Sequence, residues 1–387
     1  MVRVMANNTM TAGVSTPPHP SLASNPVKPF SHGKAVAILL LGTMFLSGTP
    51  LWVKGSNMDP ATQAFLRVSI GFLLLLPFGI VEMRKKMVLP KKGIMFSCIA
   101  GLFLGLDFTN WNFSIFLIGS GVAAILLNLQ VVIVPILTTI FDKYKLPKSF
   151  IVILPLMIVG VLFTGGVFEP AAELAGPAEI SGIKTSVLGT ACGLTSGICY
   201  SFYLYFSRKA GVTAPRNDIY VQPMMFTMLA QCVVPTIIMI IGNGFNITTG
   251  VLVEDANGQM VLPELPEGVG LFEAVSQGDP IDGGNWVHLI SLIVLGQAMA
   301  WTFVQMGTVW LEPVLSAGIL LLSPVTSVII AWPLFGEIPS WLQWLGVVII
   351  LGCVMFQNGM FDPLLGKKKK EEPVVAETVN EAAGPAH

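Results

Sequence analysis

Charge is what this chain has least of. Only 11% of its 387 residues are Asp, Glu, Lys or Arg, where a soluble domain carries roughly 25%. Histidine is rarer still: His19, His32 and His387 fall in tails or flanks and His288 at the edge of an apolar segment. No metal cluster and no metal cofactor are therefore expected. Neither GxSxG nor HExxH occurs, and no buried histidine is available as a base, so the motifs of an intramembrane hydrolase are missing. The five cysteines (Cys98, Cys192, Cys199, Cys232, Cys353) all lie inside apolar segments and form no CxxC, which predicts small packing residues rather than a disulfide framework. Residues 1–30 lack the apolar core expected of a signal peptide.

What the chain has instead is hydrophobicity in blocks. It is 53% hydrophobic with mean hydropathy +0.74. Apolar segments at 35–54, 61–82, 93–113, 121–141, 149–168, 186–206, 219–241, 286–306, 314–335 and 341–360 each approach the ~20 residues that cross a bilayer. The expected fold is an all-α polytopic membrane protein with ten transmembrane helices. Basic residues test that count. With a cytosolic amino terminus and ten alternating spans, 18 of the 21 Lys and Arg are cytosolic; Lys54 and Lys184 fall outside and Arg67 lies within a span. Positive charge resists translocation, so the asymmetry predicts both termini in the cytosol.

The expected organisation follows. Residues 1–34 are a cytosolic tail, 35–168 a first half, 169–185 an external loop, 186–360 a second half, and 361–387 a second cytosolic tail. Residues 367–387 read as disordered, and Lys367 to Lys370 can contact anionic lipid, at ~1 kcal/mol per charge. An external loop at 243–285 holds seven acidic residues and no Lys or Arg. It reads as a solvated loop, or as a gate or cation-attracting funnel over the mouth.

The two halves repeat one another. Residues 119–141 (GSGVAAILLNLQVVIVPILTTIF) and 313–335 (PVLSAGILLLSPVTSVIIAWPLF) align at a constant offset of 194, matching Ala123 to Ala317, Ile125 to Ile319, Leu126 to Leu320, Leu127 to Leu321, Val131 to Val325 and Phe141 to Phe335. Leu41-Gly42-Thr43 recurs as Leu188-Gly189-Thr190, Ser47-Gly48 as Ser196-Gly197 after a two-residue shift, and Gly160 as Gly352. Five helices per half is an odd number, so the repeats enter the membrane from opposite sides, as two inverted five-helix repeats. That is the plan of a secondary transporter with its site between the repeats.

Glu312-Pro313, Ser323-Pro324 and Phe335-Gly336-Glu337, followed by a glycine-rich last helix, resemble the EamA-like members of the drug/metabolite transporter superfamily, over about residues 35–360. The first half departs from the pattern: Gln130 stands where Pro324 would fall, and Asp142-Lys143 replaces Gly336-Glu337. The resemblance implies a ten-helix bundle with a central cavity, alternating access and small organic solutes as cargo, in the plasma (inner) membrane.

Polar residues within the spans are the candidate site. Arg67 on the second span and Asp107 on the third both come out at ~9 Å from the outer boundary. They suggest a pair or a shared site: an ion pair locking two helices, or a place for substrate or protons. Asp107, Asn110, Trp111 and Ser114 form one helical face. Thr43, Ser47, Pro50 and Lys54 form a stripe on the first span, and Gln297, Trp301 and Gln305 align on the eighth. Asn128 and Gln130 add amides on the fourth; Tyr200 and Trp301 are deep enough to stack on a solute. Each of these also has a structural reading, as an interhelical hydrogen bond or an interfacial aromatic. The candidate substrate-binding set is Ser47, Asp107, Asn110, Trp111, Asn128, Gln130, Tyr200, Gln297 and Trp301. Pro50, Pro135, Pro235 and Pro324 interrupt helices where bending would serve alternating access.

The second half carries no deep Lys or Arg, which disfavours phosphorylated sugars and nucleotide sugars. Amino acids or related metabolites, exported, are the first expectation; uptake of a zwitterionic or cationic nutrient, or a non-transporting scaffold or sensor, are the alternatives. A small molecule, membrane lipid and protons are the expected partners, with no nucleic acid. A channel is disfavoured because no filter sequence or acidic ring is present.

Overall fold

A computed structural model of the chain describes residues 31–118, 123, 126–143, 146, 150–164, 179–180, 182–215, 218–247, 249–250, 253–254, 260–261, 271, 283–323, 325–326 and 340–357. Residues 1–30 and 361–387, most of the acidic loop, Pro324 and the Gly336-Glu337 pair lie outside the described residues. In chain order the helices are α1 (His32–Ser47), α2 (Thr49–Ser56), α3 (Pro60–Lys85), α4 (Lys91–Ile118), α5 (Gln130–Asp142), α6 (Phe150–Thr164), α7 (Thr185–Val212), α8 (Val221–Gln231), α9 (Val233–Asn243), α10 (Gly283–Ser291), α11 (Ala300–Trp310), α12 (Pro313–Leu320) and α13 (Trp341–Gln357). A π-helical stretch, Leu292–Met299, joins α10 to α11. Two short hairpins complete the described residues: β1 (Glu179–Ile180) with β2 (Ile183–Lys184), and β3 (Val253–Glu254) with β4 (Met260–Val261).

Among the described residues, six helical stretches are long and apolar enough to cross a membrane: His32–Val53, Pro60–Lys85, Lys91–Ile118, Val187–Val212, Val221–Gly242 and Gly283–Trp310. The other four expected spans contain the shorter helices α5, α6, α12 and α13, none of them among the six long enough to cross, so the described residues do not establish the count of ten.

Several spans are broken, and proline explains two of the breaks. A proline has no N–H and its ring collides with the carbonyl four residues back. Pro50 has no N–H to offer the Leu46 carbonyl, which accepts from Gly48 N–H instead, and the first span turns at Gly48 between α1 and α2. Pro235 frees the carbonyl of Gln231, where α8 ends. A third break sits at Asn128 and Leu129, a turn closed by Leu129 N–H donating to Leu126 O at 3.2 Å. In the second copy of the repeat the turn falls at Leu321, which aligns with Leu127, and Leu321 N–H donates to Gly318 O at 3.2 Å. Both copies of the repeat are therefore discontinuous within a residue or two of the same place.

Small residues set how closely the helices approach. In the absence of a hydrophobic drive between helices, close backbone contact supplies the van der Waals energy. A Cβ on Gly105 of α4 would sit 2.7 Å from the Gln231 carbonyl oxygen, and one on Gly42 of α1 would sit 3.0 Å from the Val304 nitrogen of α11. The resulting packing joins α1 to α11, α3 to α8 and the π-helical stretch, α4 to α7 and α8, α5 to α7 and α12, and α6 to α13. At one end of the bundle Glu82 of α3 accepts from the N–H groups of Tyr220 (3.2 Å), Val221 (2.9 Å) and Gln222 (2.8 Å). These are among the N–H groups that the start of α8 cannot satisfy itself. Lys86 bridges Glu82 (3.2 Å) and Asp218 (3.5 Å) there. At the other end Gly250 N–H donates to Asn57 O (2.8 Å), and Asn285 Nδ2 donates to Ser56 O (2.7 Å).

Gly105→Val should overpack the α4–α8 contact and cost ~1–3 kcal/mol. Gly352→Ala, where an added Cβ meets nothing within 4 Å, should be neutral or stabilising by up to ~1 kcal/mol. Thermal unfolding in detergent distinguishes the two.

Candidate functional site

The breaks in the helices surround a central cavity of about 70 Å³, room for on the order of five waters at ~15 Å³ each. Leu46, Thr49 and Pro50 line it from the first broken span, and Leu127, Asn128 and Gln130 from the break before α5. Leu320 and Ser323 line it from the corresponding break in the second copy. Arg67, Asp107, Phe108, Trp111, Tyr200 and Trp301 complete the wall. A locally tightened helical turn at membrane depth is tolerated where it faces a cavity rather than lipid.

Arg67 is 1% exposed. Its Nε donates to Gln297 Oε1 at 2.9 Å, and Nη2 to Gly296 O at 3.4 Å. The guanidinium stacks 4.0 Å from the centroid of the Phe108 ring, a cation–π contact that is strongest when desolvated. Gln297 sits in the π-helical stretch, a distortion that often re-aims side chains at functional sites. Its Nε2 donates onward to Gln231 Oε1 at 3.3 Å.

Asp107 is held differently: Ser196 of α7 donates its hydroxyl to Oδ1. Phe108 and Trp301 have centroids 5.8 Å apart, and Trp301 meets Tyr200 (5.8 Å) and Tyr203 (5.1 Å) edge-on. Among the described residues, five buried polar atoms of the wall have no hydrogen-bond partner: Thr49 Oγ1, Arg67 Nη1, Trp111 Nε1, Gln130 Oε1 and Trp301 Nε1. Such atoms are costly unless something occupies the space beside them.

Of the residues expected from sequence, Asp107, Trp111, Asn128, Gln130, Tyr200, Trp301 and Arg67 meet in this cavity. Three do not line it. Ser47 bonds Thr326 and the Thr43 carbonyl. The break at Gly48 splits the stripe from Thr43 to Lys54, which needed one continuous helix. Asn110 Nδ2 donates to Leu106 O of its own helix at 2.8 Å. A three-residue step from Asp107 turns about 60° one way and the four-residue step to Trp111 about 40° the other, so Asn110 lies on the flank. Gln297 holds Arg67 rather than the cavity wall. The expected ion pair also differs. Arg67 and Asp107 share the cavity, but no salt bridge joins these two described residues, because each is engaged by other partners.

Sequence reasoning missed Thr49, Phe108, Ser196 and Gln231. Ser196 carried a signal, since Ser196-Gly197 repeats Ser47-Gly48, and Gln231 lies four residues before Pro235.

The EamA-like transporter family model matches residues 33–166 and 269–358, more than half of the chain. The chain belongs to the EamA-like transporter family. It is thus an integral membrane protein of a family whose members are transporters of small solutes rather than enzymes. Its fold is similar to that of a solved crystal structure, described only as that of a protein, with TM-score 0.63 and 14% identity over 86% of this chain and 99% of the other. At that identity the likeness concerns the fold alone. No curated protein matches the sequence. In EamA terms, the second matched region contains the π-helical stretch and Trp301 and the first contains Arg67 and Asp107, so the cavity is built from both.

Gln297→Leu should leave the Arg67 Nε without its acceptor and cost ~1–3 kcal/mol in thermal unfolding. Asn110→Ala, which loses only a bond within its own helix, should change stability by under ~0.5 kcal/mol.

Proposed function

We propose that this EamA-like protein is a secondary transporter that moves amino acids or related metabolites, as an exporter, by alternating access between two inverted five-helix repeats. The observation that carries the reading is the cavity, lined by the same broken segment of each copy of the repeat. Packing between the halves supports it. Numbering the spans in order, the α1–α11 and α4–α7 contacts exchange when the halves are exchanged, while α3–α8, α5–α12 and α6–α13 map onto themselves. That is the pattern an inverted repeat generates. The charge asymmetry supports cytosolic termini and the plasma membrane as the site of action.

Solute chemistry follows from the wall. One cation, one carboxyl group, two amides and several aromatic rings suit a zwitterion better than a phosphate ester, which calls for more than one basic group. Asp107 is the group whose protonation can couple transport to a proton gradient, since a lone intramembrane carboxylate is costly to leave charged.

In proteoliposomes, amino-acid flux should respond to an imposed pH gradient. Asp107→Asn should abolish that response while the protein remains folded by thermal unfolding. Unchanged pH-dependent flux in Asp107→Asn would rule out Asp107 as the coupling group.

A further inference from the structure

The unpartnered atoms of the cavity wall are not a random sample of polar groups. Arg67 Nη1, Trp111 Nε1 and Trp301 Nε1 can only donate, and each belongs to a residue at most 6% exposed. An arginine or tryptophan N–H has no acceptor capacity, so no rotation or proton shift lets these groups satisfy one another. Whatever satisfies them must bring acceptors. Gln130 Oε1, 2% exposed, is the complementary case and needs a donor. Water can supply either kind of bond, but three donors on the wall of one cavity, one of them cationic, match the two oxygens of a carboxylate more fully.

We infer that Arg67, Trp111 and Trp301 form a donor cradle for a carboxylate of the transported solute, with Asp107 and Gln130 receiving its ammonium group. The inference rests on the amino-acid reading above and specifies which end of the solute each residue holds. Charge accounting favours a zwitterion. Arg67 and Asp107 are the charged side chains of the wall, and a solute with one charge of each sign adds no net charge to it. A dianion such as a phosphate monoester would leave an uncompensated negative charge in hydrocarbon. The pre-set geometry of Arg67, held by Gln297, Gly296 and Phe108, leaves Nη1 as its free donor. Gln297 is thus a positioning residue for this contact.

The test uses the purified full-length protein in detergent with L-alanine, L-threonine and L-phenylalanine, each beside its carboxamide and its decarboxylated amine. Thermal shift and titration calorimetry give the affinities. At least one acid should bind, and its amide and amine should bind at least tenfold more weakly. Trp301→Phe, which keeps a ring and removes one N–H, should weaken the acid about tenfold and change the amide by less than twofold. Arg67→Lys should weaken the acid at least as much; Trp111→Phe serves as the second conservative variant if Arg67→Lys does not fold. Amides or amines that bind as tightly as the parent acids, or tryptophan variants that bind the acid like wild type, would overturn the cradle and leave the transporter reading standing. Silence from acids, amides and amines alike would overturn both.

Discussion

A guanidinium held at 1% exposure within the membrane-spanning bundle is the constraint around which the rest of this molecule is arranged. An arginine there keeps its proton and is shut off from bulk water, so the protein must supply most of its solvation internally. Gln297, the Gly296 carbonyl and the Phe108 face do so from three directions. Supplying them requires the π-helical stretch of the eighth span, which exposes a backbone carbonyl, and close packing of α3 against it. A carboxyl group in the same cavity then offsets the charge at a distance. Keeping the two apart, without a direct salt bridge, leaves both able to engage a third body.

The helix breaks belong to the same logic. The turns at Gly48, at Asn128-Leu129 and at Leu321 interrupt the regular helical ladder, which is tolerated beside a cavity that water or solute can enter. Glycines on the outer contacts permit the backbones to approach, which compensates for the packing forgone at the centre. The bundle is therefore dense between helices and open where both repeats are interrupted.

Much of this was legible in the sequence for physical reasons. Apolar block length reports the bilayer directly, and Arg67 and Asp107 announced themselves because a charge in such a block has to be explained. The equal depth expected from 1.5 Å per residue is consistent with their lining one cavity. Their lack of a direct pair was not legible, since it depends on rotation about each helix axis and on the π-helical shift near Gln297. For the same reason Asn110 was grouped with Trp111, although three- and four-residue steps diverge. Pro50 and Pro235 marked their breaks openly. The Asn128 break had no proline, and only its alignment with the second copy pointed to it. Ser196 and Thr49 are short hydroxyl side chains among many, and nothing in composition marks the one that bonds a buried carboxyl group or the one that lines the cavity.

The central claim is that the cavity between the repeats is the transport pathway and opens to each side in turn. Replacing the five native cysteines and introducing Ser323→Cys, a near-isosteric change in the cavity wall, allows labelling with a small membrane-impermeant methanethiosulfonate. Right-side-out and inside-out vesicles present the two faces separately. Alternating access predicts modification of residue 323 from both faces, slowed by saturating solute on either. Modification from one face only, or from neither in folded protein, would contradict it.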